Sequence, residues 1–200
     1  ILKNNNINDP VTLADLEVNE LIIKRISQKY PDVNWSILSE ENFKIKANHS
    51  NQNADWIWVL EPLDGTKDFI QGTGNFAMHL ALNYKRKPYI GLVLIPKKDE
   101  LWISHGDKIW LEKRDGSIQK QNLSETNILQ KMTVVTSKNH RNMKLKSLID
   151  KINFKKTIVM GSIGCKVASI IRGESDIYIA LSLPCLLYTS PSPRDDCQSR

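Results

Sequence analysis

Cysteine, histidine and aromatic residues are scarce in this chain, and no long apolar run occurs. Cys165, Cys185 and Cys197 form neither a disulfide framework nor a metal-binding spacing. That usage suits a reducing compartment, so a cytoplasmic protein, at most peripheral to a membrane, is expected. No segment approaches the roughly 18 apolar residues of a membrane helix, so no membrane span is expected. Basic residues do not cluster into a stripe with aromatics beside them, so a nucleic-acid polymer is not an expected partner. Ile1 rather than Met stands first, which leaves targeting open.

What is present is an ordinary globular composition: 200 residues, 40% hydrophobic and 25% charged. This can bury a sizeable core in one large or two small domains. The net charge of +6 reads first as a lysine-rich solvated surface and second as a field that draws in anions.

Residues 12–30 carry Leu13, Leu16, Leu21, Ile22 and Ile26 at helical spacing, and Pro31 follows. A short strand is expected at 35–38, ending at Glu40-Glu41, and a polar loop at 43–54. Trp56–Leu60 is a continuous apolar run that predicts a buried strand, broken at Glu61. Further strands are expected near 75–84, 88–96, 99–104 and 107–113, with Asp115-Gly116 as a turn. This predicts an antiparallel sheet with a helix packed on it. Beyond about 125 the pattern alternates: strand 132–136, helix 140–152, strand 157–160, helix 164–172, strand 176–181. The expected organisation is an α+β metal- and phosphate-binding domain over 1–125 and an incomplete α/β substrate domain over 126–184. Residues 185–200, rich in Ser, Pro and charge, have the look of a non-native or disordered tail.

Several segments place carboxylates near strand ends or a helix start: Asp15, the pair Glu40-Glu41, Glu61, Asp64 and Asp68. Converging carboxylates repel one another unless a cation lies between them, and hard oxygen ligands suit Mg²⁺. In Glu61-Pro62-Leu63-Asp64-Gly65-Thr66 the proline stiffens the turn and the glycine permits close backbone approach. A helix starting near Thr66 would offer amides to a phosphate. Each motif alone has a plainer reading: a turn, a solvated pair, a helix cap. All of them in one order are hard to assign to chance.

At these residues the chain resembles the inositol monophosphatase superfamily. Trp58-Val-Leu-Glu-Pro-Leu-Asp-Gly-Thr follows the family pattern W-x-(I/L/V)-D-P-(I/L)-D-G-T, and Thr12, Asp15 and Glu40-Glu41 match its upstream positions. The segment from Gly161 to Ala180 resembles the later stretch that enters the substrate pocket. Within the family the likeness is greatest to the CysQ-type 3′(2′),5′-bisphosphate nucleotidases, through LDGTKDF and SKNHR.

The resemblance implies a layered α-β-α-β fold of sugar-phosphatase type, an α+β or α/β class protein, here C-terminally truncated. It implies two or three Mg²⁺ ions, a small phosphorylated substrate and the option of a homodimer. Glu40, Glu61, the Leu63 carbonyl and Asp64 become metal ligands, with Glu40 also in the catalytic set. Asp15 and Thr66 become the pair that activates water, and the Gly65 and Thr66 amides contact phosphate. His140, Ser162 and Lys166 become substrate contacts. Three departures stand out: Glu61 where the family has aspartate, Ala180 where many nucleotidases have arginine, and no Trp-Asp after Leu183-Pro184. The last makes the chain as it stands an expected inactive enzyme. Inositol monophosphatase, a sugar-bisphosphatase, or a metal-poor binding or structural paralogue remain alternatives. His79, inside Asn75-Phe-Ala-Met-His-Leu-Ala-Leu82, reads as a packed core histidine.

Overall fold

The structure is a computed structural model that describes residues 12–41, 54–120, 127–138 and 143–181. The polar loop expected at 43–54 falls almost wholly outside them, and the tail entirely so.

Helix α1 spans Leu13–Lys29. The Thr12 amide and hydroxyl both donate to Asp15 Oδ2, at 2.8 and 2.6 Å, and tie down the first turn. The buried stripe differs from the expected one. Leu13 and Leu21 are exposed, whereas Asp15, Asn19 and Ile26 are buried, with Ile22 and Ile23 packed beside Ile26. The reason is that the start of the helix docks by hydrogen bonds rather than by apolar contact. Ser39 Oγ, at the end of the next strand, donates to Asn19 Oδ1.

Strands β1 (Trp35–Ser39), β2 (Trp56–Asp64), β3 (Ala77–Tyr84), β4 (Lys87–Ile95), β5 (Glu100–His105), β6 (Lys108–Glu112) and β7 (Ile118–Lys120) form one sheet in chain order. All neighbours are antiparallel except β1 and β2, which pair in parallel. A wholly antiparallel sheet is therefore corrected at one edge. The second correction is β2 itself, which does not break at Glu61 but runs on to Asp64, with its register slipping between those two residues. Proline at 62 is tolerated because the irregularity removes its ladder bond. Helix α2 (Thr66–Ile70) follows at once, where expected.

The smaller sheet is parallel, in the order β10–β8–β9, from β8 (Thr133–Ser137), β9 (Lys156–Met160) and β10 (Ile177–Tyr178). Helix α3 (Met143–Ile152) follows β8, and α4 (Ile163–Ile171) follows β9. Strand β10 has only two residues where six were expected.

Alternation on the strands sorts the layers. Leu60, Leu80 and Leu92 meet Ile26 and Ile37 on the α1 face of the large sheet. Ala77, Val93, Ile95, Trp102 and Leu111 meet Cys165, Ala168 and Ile171 of α4 on the other. Beyond α4 lies the small sheet, whose Val134 packs on Leu145 and Ile149 of α3. The result is the expected layered α-β-α-β arrangement, with α3 as a further helix layer on the small sheet.

A charged bolt joins α4 to the large sheet. Arg172, at the C-terminal end of α4, places Nη1 2.6 Å from Glu100 Oε2, with the two side chains only 13% and 9% exposed. Trp102 Nε1 donates to the same carboxylate at 3.0 Å. Removing one member of a buried pair leaves the other uncompensated. Arg172→Met is expected to lower unfolding stability by roughly 3 kcal/mol, measured by urea denaturation.

Candidate active site

The acidic segments meet at one end of the large sheet. The β1–β2 register pairs Ser39 with Leu60, so Glu40 leaves β1 beside Glu61 on β2, across a strand spacing of about 4.8 Å. Glu40 and Glu41 turn into a helical conformation there; Glu41 is buried and Glu40 is partly exposed. Asp64 sits at the end of β2, past the register slip.

Asp64 is the most constrained of these. Its Oδ2 accepts from Ser162 Oγ at 2.6 Å and from the Gly164 amide at 3.1 Å, and lies 3.2 Å from His79 Nε2. Burial alone would raise this carboxyl. The His79 ring, the Ser162 hydroxyl and the Gly164 amide outweigh burial and hold it below the ordinary aspartate value. All three contacts fall on one oxygen, which leaves Oδ1 without a protein donor among the described residues.

Two bare Cα atoms make this contact possible. A Cβ on Gly65, which has φ +89°, would lie 2.9 Å from Asn75 O and 3.2 Å from Ser162 Cβ. A Cβ on Gly164 would lie 2.4 Å from His79 Nε2 and 2.8 Å from Val93 Cγ1. The start of α4 therefore seats directly on the strand end that carries Asp64.

The other expected site residues are placed as follows. Thr66 begins α2 and donates its hydroxyl to the Leu63 carbonyl at 3.2 Å. Asp15 is buried and engaged by Thr12, so Asp15 and Thr66 are not bonded to each other. Ser162 is buried, caps α4 through the Cys165 amide, and holds Asp64. Lys166 is 1% exposed. Its ammonium donates to Ser137 Oγ at 2.9 Å and Gly161 O at 3.0 Å, and lies 5.0 Å from the Tyr178 ring centre. Burial pushes its pKa down against the pull of Asp64, Cys165 and Asp68. His140 lies outside the described residues.

Asp68 faces elsewhere. Its Oδ1 takes Lys138 Nζ at 3.3 Å and Thr73 Oγ1 at 2.7 Å, which ties α2 to the end of β8. Its Oδ2 abuts Gly161, where a Cβ would come within 1.8 Å. Sequence reasoning did not bring His79 or Gly164 to Asp64. The signal for His79 was available in strand parity, because it lies opposite Glu61 in the β2–β3 ladder and shares its face.

Among the described residues, no three His, Cys, Asp or Glu side chains close round a common point. The donor set nonetheless fits a hard divalent cation in kind: carboxylates on adjoining strand ends, one of them with an oxygen unclaimed.

A large mostly antiparallel sheet, a buried helix layer and a small parallel sheet, with acidic groups at one sheet end, define the sugar-phosphatase-like class of layered α+β proteins. Residues 2–190 match the model of the inositol monophosphatase family, and the chain belongs to that family. The match continues past residue 184, into the segment read above as a tail.

Among curated relatives, 3′(2′),5′-bisphosphate nucleotidase CysQ of Buchnera aphidicola is 33% identical over 174 residues, 86% of this chain and 62% of that protein. The Escherichia coli K12 protein of the same name is 29% identical over 174 residues, 86% of this chain and 66% of its own length. The chain thus spans less than two thirds of these relatives. Among solved structures, a Thermotoga maritima IMPase superposes with TM-score 0.71 at 22% identity, covering 89% of this chain and 65% of that one. An IMPase/NADP phosphatase complexed with Mg²⁺ and phosphate gives 0.73 at 18% identity, covering 90% and 65%.

The seating of α4 yields a test. Gly164→Ala would gain about 1 kcal/mol of helix propensity, but overpacking against side chains already packed in the core costs about 1–3 kcal/mol. With a ring nitrogen at 2.4 Å and a valine methyl at 2.8 Å, the clash is expected to win. A net fall in melting temperature, measured by calorimetry, is the expected result.

Proposed function

We propose Mg²⁺-dependent hydrolysis of a phosphate monoester, with a 3′(2′),5′-bisphosphate nucleotide as substrate class. The observation that carries this reading is the part-buried Asp64 carboxylate, approached by three groups on Oδ2 and, among the described residues, without a donor on Oδ1. It stands beside the strand ends bearing Glu40 and Glu61. The names of the curated relatives support the nucleotide class, and the Mg²⁺- and phosphate-bound neighbour supports the ion.

In this reading Glu40, Glu61, the Leu63 carbonyl and Asp64 hold the cations. Mg²⁺ bound there would supply a more acidic water and charge compensation for the leaving oxygen. In the pair Asp15 and Thr66, the Thr66 hydroxyl would accept the proton of the attacking water as its own proton passes to the Asp15 carboxylate. For this its hydroxyl must first leave the Leu63 carbonyl, which also frees that oxygen as a ligand. The Gly65 and Thr66 amides face the phosphate. His140 contributes a nucleotide contact, and Ser162 and Lys166 shape the turn between β9 and α4 on the substrate side. Glu61 keeps the charge of an aspartate but is one methylene longer, which pushes its oxygens further from the strand.

Two measurements test the proposal, on the chain extended to the length of its relatives. In the first, kcat/KM for 3′-phosphoadenosine 5′-phosphate is expected to exceed that for inositol 1-phosphate, and the reverse order would move the protein to the inositol phosphate branch. In the second, Asp64→Asn is expected to lower Mg²⁺-dependent phosphate release by several kcal/mol of barrier, roughly a thousandfold. Near-normal turnover at saturating Mg²⁺ would remove Asp64 from the site.

A further inference from the structure

His79 is the one group at this site that the reaction scheme leaves without a task. It projects from β3 on the face that carries Glu61, its ladder partner, and Val93, its partner on β4. The register slip between Glu61 and Asp64 brings Asp64 round to the same ring. His79 Nε2 is shut off from solvent and makes no aligned hydrogen bond among the described residues. Asp64 Oδ2 lies 3.2 Å from it. The bare Cα of Gly164 presses on the other side, since a Cβ there would come within 2.4 Å of the same nitrogen. The ring is thus wedged between the helix start and the carboxylate, and a buried ring nitrogen in that place needs an acceptor.

A carboxylate on a short side chain has a broad, twofold torsion, so nothing in aspartate itself chooses which oxygen faces outward. Ser162 and Gly164 approach Oδ2 from the α4 side, and His79 approaches it from the sheet. We infer that His79 is a positioning residue that, with Ser162 and Gly164, fixes the Asp64 carboxylate so that Oδ1 alone is presented to a cation. This rests on the reading of Asp64 as a ligand. Groups that hold a ligating carboxylate in place typically change metal affinity by about 10–100-fold when removed.

The experiment is a Mn²⁺ titration of the substrate-free chain, read by electron paramagnetic resonance, with melting temperature followed in parallel. His79→Leu keeps bulk and removes the ring nitrogens, and it is expected to weaken Mn²⁺ binding about tenfold. His79→Gln, whose amide can reach the position of Nε2, is expected to restore most of that loss. If His79→Leu fails to fold, His79→Asn, whose amide falls short of Asp64, is expected to show the same weakening. A purely structural role would lower the melting temperature of all three variants without separating Gln from the others in affinity. That outcome, or affinity within twofold of the parent in His79→Leu while Asp64→Asn loses binding, overturns the inference. Unchanged binding in Asp64→Asn, or no binding by the parent chain, overturns the cation reading itself, and the inference with it.

Discussion

The contact between Asp64 and the start of α4 is the constraint on which the rest of the site depends. It is the place where the large sheet, the buried helix layer and the loop after β9 meet on one carboxylate oxygen. A part-buried carboxylate is tolerable only when donors replace its water, and here a hydroxyl and a backbone amide do so, with an imidazole nitrogen 3.2 Å away. The hydroxyl and the amide lie 98 and 100 residues beyond Asp64 in the chain, so the acidic turn is rigid only when both sheets are assembled. Gly65 and Gly164 belong to the same constraint, because any side chain at either position holds the two surfaces apart.

Other polar links reinforce the seam without entering it. Lys138 reaches from the end of β8 to Asp68 and Gln71 of the segment that follows the acidic turn. Lys166 binds the carbonyl of Gly161 and so steadies the residue before Ser162. Arg172 fastens the far end of α4 through Glu100. The helix between the sheets is thus held at its start by Asp64 and at its end by an ion pair, with an apolar face between them.

Much of this was legible in the sequence, for identifiable reasons. Helices α1, α2 and α4 and the strand at Trp56 announce themselves by period, caps or apolar runs, and the order of acidic motifs pointed to one family. The misses have physical causes as well. Strand β2 was cut short because Glu61 and Pro62 look like breakers, yet a register slip absorbs them. The parallel pairing of β1 cannot be read from its apolar pattern, since burial is the same for either direction. His79 was read as a packed histidine and is one, but the sequence does not show the slip that turns Asp64 toward it.

The short strand β1 has a consequence for the glutamate pair that follows it. In a ladder, a shift of one residue exchanges the two faces of a strand, and here it would put Glu41 rather than Glu40 alongside Glu61. Five residues of pairing offer little resistance to such a shift. The strand is pinned at both ends, by Trp35 Nε1 on the Tyr30 carbonyl at 3.1 Å and by Ser39 on Asn19. These two bonds to the helix before it act as index marks. The choice between two chemically identical neighbours is made some distance away, by an asparagine on α1.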